Sequence, residues 1–374
     1  MVWRRGAHRP ARRFRGCSSL ICGLLILVVA AAAGTCAATA RDGLAKTLTP
    51  LESQPWPRFL TRLHLPDERA YGIIIQEPPL HAINFRTAET AIESLSANAR
   101  SLLTLLTGKS PIGHAMIAWQ CATGRGFASV TGDIDDQAST MVLRDGWGVT
   151  PMLSVFEDGR LDGLQGLRGG ASARMAGGRR NVVAVEVTER DCQRLRGFVA
   201  LYITHPAQPA RRYGLLLRPE RFEGAGCMSF VVEVARRAGI FEGIGTVFRR
   251  SLDIPRSIMG RRRAVPDGVK PFARARSIEG QKTVSLRELL SRSWDKTAGY
   301  ERVTLVDPEL VFAAVVHLRQ GAGATADWRT QRSLTGADPI VARAVKAVRR
   351  WAGRFPRQRI ADPTGTSALV LELR

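Results

Sequence analysis

A chain of 374 residues, 45% hydrophobic and 24% charged, is long enough for one large domain or two ordinary ones with real cores, and it excludes global disorder. Its 55 Lys and Arg against 33 Asp and Glu give a net charge of +22. Such a surface draws polyanions, whether nucleic acid, anionic lipid headgroups or an acidic envelope polymer, although genome bias alone produces the same arginine excess.

The leader comes first. Six arginines (Arg4, Arg5, Arg9, Arg12, Arg13 and Arg15) with no acid among them precede an apolar run from Leu20 to Ala33, leaving +16 on the remainder. Ala38-Thr39-Ala40 is a small-x-small cleavage pattern before Arg41, so residues 1–40 have the form of a secretory signal peptide. The stretch from Ser18 to Ala40 is also long enough to cross a bilayer as an uncleaved anchor. Both readings export the rest of the chain, periplasmic or membrane-anchored, with the basic end left inside. Three of the six cysteines belong to this leader, leaving Cys121, Cys192 and Cys227. In an oxidising compartment an odd number implies a free thiol, and it is Cys227 if Cys121 pairs with Cys192.

Residues 41–70 read as a proline-punctuated linker or arm. A short strand is expected over 73–76, a helix over 87–106, and strands over 114–121, 127–131 and 152–156. Residues 157–180 form a loop with seven glycines. Valine alternation predicts a strand over 181–187, followed by a helix over 189–203 and a short apolar strand or turn over 213–217. A helix begins at Cys227 and stops at Gly239, with Arg236 and Arg237 suited to its C-terminal end. Beyond about residue 245 the composition shifts, and the basic stretch from Arg261 to Arg276 suggests a linker or exposed arm. Helices over 307–320 and 338–355 and a strand over 368–373 close a basic, mostly helical extension, residues 246–374. The second of these helices is amphipathic and basic. That pattern suits a surface helix packed on its own domain, or one lying on an anionic membrane.

Two segments carry chemistry. Gly224-Ala225-Gly226-Cys227-Met228-Ser229-Phe230 puts a thiol where a glycine-rich turn becomes a helix, and the helix dipole there favours thiolate. Gly113-His114-Ala115-Met116 offers an imidazole at the start of a strand. Together they suggest a Cys–His hydrolase or acyltransferase, against the plainer reading of a packed cysteine and a satisfied core histidine. Other motifs fail. Gly108-Lys109-Ser110 lacks the earlier glycine of a phosphate loop, Ser293-x-x-Lys296 lacks its Lys-Thr-Gly partner, and Asp133, Asp135 and Asp136 lack calcium-loop spacing. No His/Cys cluster has zinc spacing, and the aromatics do not interleave with a basic stripe, so no nucleic-acid partner is expected.

The order Gly113-His114, helix 189–203, Tyr213-Gly214-Leu215 and Gly226-Cys227-Met228-Ser229-Phe230 resembles the circularly permuted NlpC-type papain-like amidases and acyltransferases. The resemblance covers residues 71–245 and implies an α+β fold, an antiparallel sheet packed on helices. It departs from the family at Gly226, where many members carry Asn or Asp. It implies Cys227 as nucleophile and His114 as general base and acid, with a polar orienting residue on the strand after the histidine. Asp133 is the first choice for that residue, ahead of Thr131 and Gln120; His205 is a reserve base, and His64, His81 and His317 are incidental. No metal or organic cofactor is implied. The expected function is cysteine-dependent cleavage or transfer at an amide or ester of the cell envelope. A peptidoglycan stem peptide is the first substrate and a lipid-like acyl ester the second. The alternative is a non-enzymatic envelope-anchored binding or scaffold protein whose basic surface holds anionic lipid or polymer.

Overall fold

A computed structural model describes residues 43–77, 79, 82–99, 113–132, 138, 140–142, 144–163, 180–260, 265–272, 283–291, 293–322, 338–361 and 368–373. The leader, Asp133, His81, residues 164–179 of the glycine-rich loop, and residues 261–264 and 273–282 of the basic stretch lie outside the described residues. Residues 47–374 form one compact unit. It has a mixed α+β architecture.

Strands β1 (Ala70–Glu77), β2 (His114–Cys121) and β3 (Gly124–Thr131) form an antiparallel run, with β2 and β3 joined by a two-residue turn. Strand β1 is longer than the four residues expected, because it is buried along its whole length between β2 and β5 (Asn181–Val187). Residues 157–180 were expected as loop throughout, but β4 (Arg160–Asp162) pairs with the end of β3. The expected strand over 152–156 is instead a helical turn, Thr150–Leu153, with Pro151 in its first turn, followed by a two-residue strand, Val155–Phe156. Its partner is Val269–Lys270, a long-range pairing that local apolar pattern does not reveal.

Helix α2 (Glu189–Thr204) starts where the Thr188 side chain accepts the Asp191 N–H, with Glu189 and Asp191 in the first turn. It buries Leu195, Phe198, Val199 and Tyr202. Helix α3 (Cys227–Arg237) buries Phe230, Val231, Val234 and Ala235 and ends at Gly239, whose φ of +73° is the left-handed conformation that favours glycine. Both helices pack on the sheet over β2. The opposite sheet face buries Tyr71, Ile73, Ile75, Met116, Ala118 and Phe127 beneath Phe59, Leu60 and Leu63, so of the two readings of residues 41–70, linker or arm, the described part is an arm packed on the core.

Residues 246–374, expected as an extension, are built into the same unit. Strands β6 (Arg249–Pro255) and β7 (Tyr300–Val306) form an antiparallel ribbon. Helices α4 (Pro308–Gly321) and α5 (Pro339–Ala352) pack together, each opened by an Asp-Pro pair whose aspartate accepts a first-turn N–H. Strand β8 (Arg357–Ala361) then pairs with β9 (Ala368–Glu372), which lies parallel to β5. The seven-stranded sheet thus runs β8-β9-β5-β1-β2-β3-β4. On α5 the apolar stripe is covered by its own domain: Ala344, Val345, Val348 and Trp351 are buried, and Trp351 packs on Phe241 at 5.0 Å. Its Arg343, Lys346, Arg349 and Arg350 are exposed. Among the described residues no helix is long and apolar enough to cross a membrane.

Cys121, at the end of β2, and Cys192, on α2, form a disulfide, and Cys227 is free. The bridge closes a separation of 71 residues, which in the chain-entropy account contributes about 4 kcal/mol. The Cys121→Ala/Cys192→Ala variant should lose roughly that much in a urea titration, with a steeper slope because the unfolded chain without the bridge is more open. A loss under about 1 kcal/mol would mean that the bridge does not constrain the unfolded chain.

Candidate active site

The histidine is placed by its neighbour. Gly113 has φ of +75°, and a Cβ there would collide with the Glu77 carbonyl and sit 2.8 Å from Pro79 N, so the residue that leads into β2 has to be glycine. In register, His114 lies across from Glu77 on β1. His114 Nε2 is 2.5 Å from Ser129 Oγ, and Ser129, fully buried on β3, donates its hydroxyl proton to the Ala115 carbonyl at 3.2 Å. A hydroxyl has one proton. With that proton on the carbonyl, Ser129 accepts from Nε2–H in the tautomer that carries the ring proton on Nε2.

The thiol is placed by a helix start. Gly224, with φ of +118° and Arg212 O only 2.5 Å from where its Cβ would be, turns the chain so that Gly226 becomes the N-cap of α3. Ser229 Oγ and Gly226 exchange hydrogen bonds at 3.0 Å, fixing the first turn. The Ala115, Met228 and Cys227 N–H groups and the Tyr213 hydroxyl lie close enough to the Cys227 sulfur to pull its pKa down. Tyr213 is itself held in a backbone bridge to Phe156, with bonds of 2.8 and 2.9 Å. Burial nevertheless pushes the thiol pKa up, outweighing those four donors. By solvent-accessible area the residue is half-buried, so the thiol remains open to the cavity.

Cys227 and His114 open onto one cavity of about 110 Å³. Pro151, Met152, Phe156, Leu215, Val306 and Phe312 supply its apolar wall; Gln76, Glu77, Ser154, Tyr213 and Glu309 supply polar groups. Glu309 comes from the first turn of α4 and accepts a bond from the Ile83 N–H; burial and the adjacent Asp307 carboxylate raise its pKa to about 8. A second cavity of about 40 Å³, lined only by apolar residues, shares Met152 and Leu215 with the first.

Of the expected orienting residues, Thr131 donates to Asp162 at 2.6 Å and Gln120 to the carbonyls of Pro66 and Arg69 at 2.6 and 3.1 Å, so neither serves the imidazole. Asp133 lies outside the described residues. Among the described residues Ser129 contacts the ring, a partner that sequence reasoning missed. Carrying the Ile117↔Ala128 pairing along the hairpin puts Thr131 across from His114, with Ser129 its diagonal neighbour on the same face. His205 stacks on Phe222 at 4.2 Å and accepts the Ala207 N–H, a structural role. Among the described residues no group of His, Cys, Asp and Glu could hold a metal ion.

The arrangement unites a nucleophile, an oriented base and backbone N–H donors at one opening, the parts that acyl transfer needs. Comparison with protein families, curated proteins and solved structures finds no match for this chain.

Proposed function

We propose that the chain is an exported, cysteine-dependent hydrolase or acyltransferase of the circularly permuted papain-like type. The observation that carries this reading is the free thiol of Cys227 at a helix N-terminus, sharing a cavity with a histidine whose ring is oriented by Ser129. His114 Nδ1 takes the thiol proton as sulfur attacks an ester or amide carbonyl carbon. The oxygen gains charge beside the N–H groups at the start of α3, and the imidazolium returns the proton to the departing alkoxide or amine. Water or another acceptor then releases the acyl group from sulfur. The raised thiol pKa makes this base-assisted attack, rather than a preformed ion pair, the working mode.

An amide of an envelope peptide, such as a peptidoglycan stem peptide, is the first substrate. The apolar cavity that shares Met152 and Leu215 supports a second, a lipid acyl ester. The Cys121–Cys192 disulfide is consistent with export.

Iodoacetamide labelling of the native protein tests the reading. Cys227 should label without unfolding, at a rate that climbs with pH through and beyond the ordinary thiol range rather than levelling near neutrality. A thiol that labels only in denaturant is sealed, and the chain is then the non-enzymatic binding protein.

A further inference from the structure

One face of α5 carries a charge that the fold does not neutralise. From Pro339 to Ala361 the sequence holds seven Lys and Arg and not one Asp or Glu. Arg343, Lys346 and Arg350 stand at positions i, i+3 and i+7, one above another along the helix, with Arg349 beside them. The row spans about 10 Å. All four are exposed, because the apolar stripe of Ala344, Val345, Val348 and Trp351 is committed to the core and fixes which way the cations face. An arginine-rich composition does not by itself produce this. Arg69, Arg196, Arg218, Arg250 and Arg302 each hold a carboxylate, whereas among the described residues Arg343, Lys346, Arg349 and Arg350 hold none. Other exposed cations without an ion pair among the described residues, such as Arg86, Arg144, Arg190 and Arg287, stand singly on separate segments. His317, on the adjoining α4, registers the concentrated field: burial and Arg349 both lower its pKa. Like charges at this spacing repel one another and weaken the helix unless an outside anion supplies the counter-charge.

We propose that this face of α5 is a docking surface for an anionic lipid bilayer, held by charge alone and without insertion. An amphipathic helix enters a membrane with its apolar side, and here that side lies under the domain. What is left is a row of long cationic side chains on one straight helix. A bilayer meets such a row with a plane of headgroup phosphates, so that all four cations engage together. Single-stranded nucleic acid calls for exposed rings among the cations, and Trp351 and Phe355 are buried. The surface is independent of Cys227 and stands whether or not the thiol reacts.

The test measures how the full chain partitions onto vesicles of phosphatidylcholine, pure or with about one third phosphatidylglycerol, in about 0.1 M NaCl. The ratio of the two partition coefficients cancels whatever the apolar run from Leu20 to Ala33 contributes, since both vesicles offer the same hydrocarbon core. The Arg343→Gln/Lys346→Gln/Arg349→Gln/Arg350→Gln variant should cut that ratio by roughly 30-fold or more, at about fivefold for each cation at the surface. The control, Arg86→Gln/Arg144→Gln/Arg190→Gln/Arg287→Gln, removes the same charge from scattered sites and should change the ratio by less than about threefold. Circular dichroism shows that the variants are folded. Should the fourfold α5 variant unfold, Arg343→Gln/Arg350→Gln carries the same test with a drop of about tenfold. A ratio near one in the parent, or equal losses in the α5 and control variants, overturns the proposal. So does binding to duplex DNA or polyglutamate that needs these four cations while the vesicles show no preference, which would make the partner a polymer.

Discussion

Replacing His114 by alanine should slow acylation of Cys227 by an activated ester about 10²- to 10⁴-fold, the range over which a positioned general base acts. The size follows from the state of the thiol. With its pKa raised by burial, little thiolate exists at neutral pH, and the imidazole has to take the proton during attack. Raising the pH should narrow the gap between variant and parent, because hydroxide then forms the thiolate that His114 no longer helps to make. Ser129→Ala is the gentler companion. It removes the acceptor of Nε2–H, frees the ring to choose the other tautomer, and should reduce the rate by about tenfold while leaving iodoacetamide access to Cys227 unchanged. Stopped-flow release of p-nitrophenol reads both. Equal rates for parent and His114→Ala across the pH range would show that the imidazole takes no part.

The largest effect on stability is expected at Arg250. Its Nε donates to Asp307 at 2.6 Å and a terminal nitrogen to Asp338 at 2.8 Å, so one buried guanidinium ties together the N-caps of α4 and α5. Asp307 is fully buried, and burial pushes its pKa up against the pull of Arg250, whereas at Asp338, which is mostly buried, burial also pushes up but the hydrogen bonds from the Ile340 N–H and Arg250 outweigh it and hold the carboxyl low. Arg250→Ala strands the Asp307 charge and should lower the unfolding free energy by about 3–5 kcal/mol. The sign with pH follows from Asp307. A carboxyl raised above its unfolded value contributes its stability below that unfolded value and loses it as pH rises through the folded one. The deficit of the variant should therefore shrink as pH falls toward the ordinary carboxylate range. Urea titrations at pH 7.5 and 4.5 measure this, and an Arg250→Ala loss under 1 kcal/mol at pH 7.5 would show that the clamp contributes little.

Much of this frame was readable from local pattern. Strands 114–121 and 181–187 and the helices opened by Thr188, Asp307 and Asp338 start within a residue of expectation and end within three, because caps and apolar runs act over a few residues. Long-range pairings were not readable. Nothing local tells that β9 joins β5 in parallel, or that Val155–Phe156 waits for Val269–Lys270, and so residues 246–374 read as an appendage. The site divides in the same way. Gly113-His114 and Gly226-Cys227 show themselves because glycine marks where the backbone must turn. Ser129 looks like strand filler, and Glu309 like any acid favoured in a first helical turn. Only the fold brings Glu309 to the cavity of the thiol.

The most direct test of the central claim is to quench the reaction with p-nitrophenyl acetate within the first turnover and map the modified peptide by mass spectrometry. The account predicts a single acetyl group on Cys227, discharged in the native protein and persisting in His114→Ala once it has slowly formed. An acetyl group spread over surface lysines, with Cys227 unmodified, would contradict it.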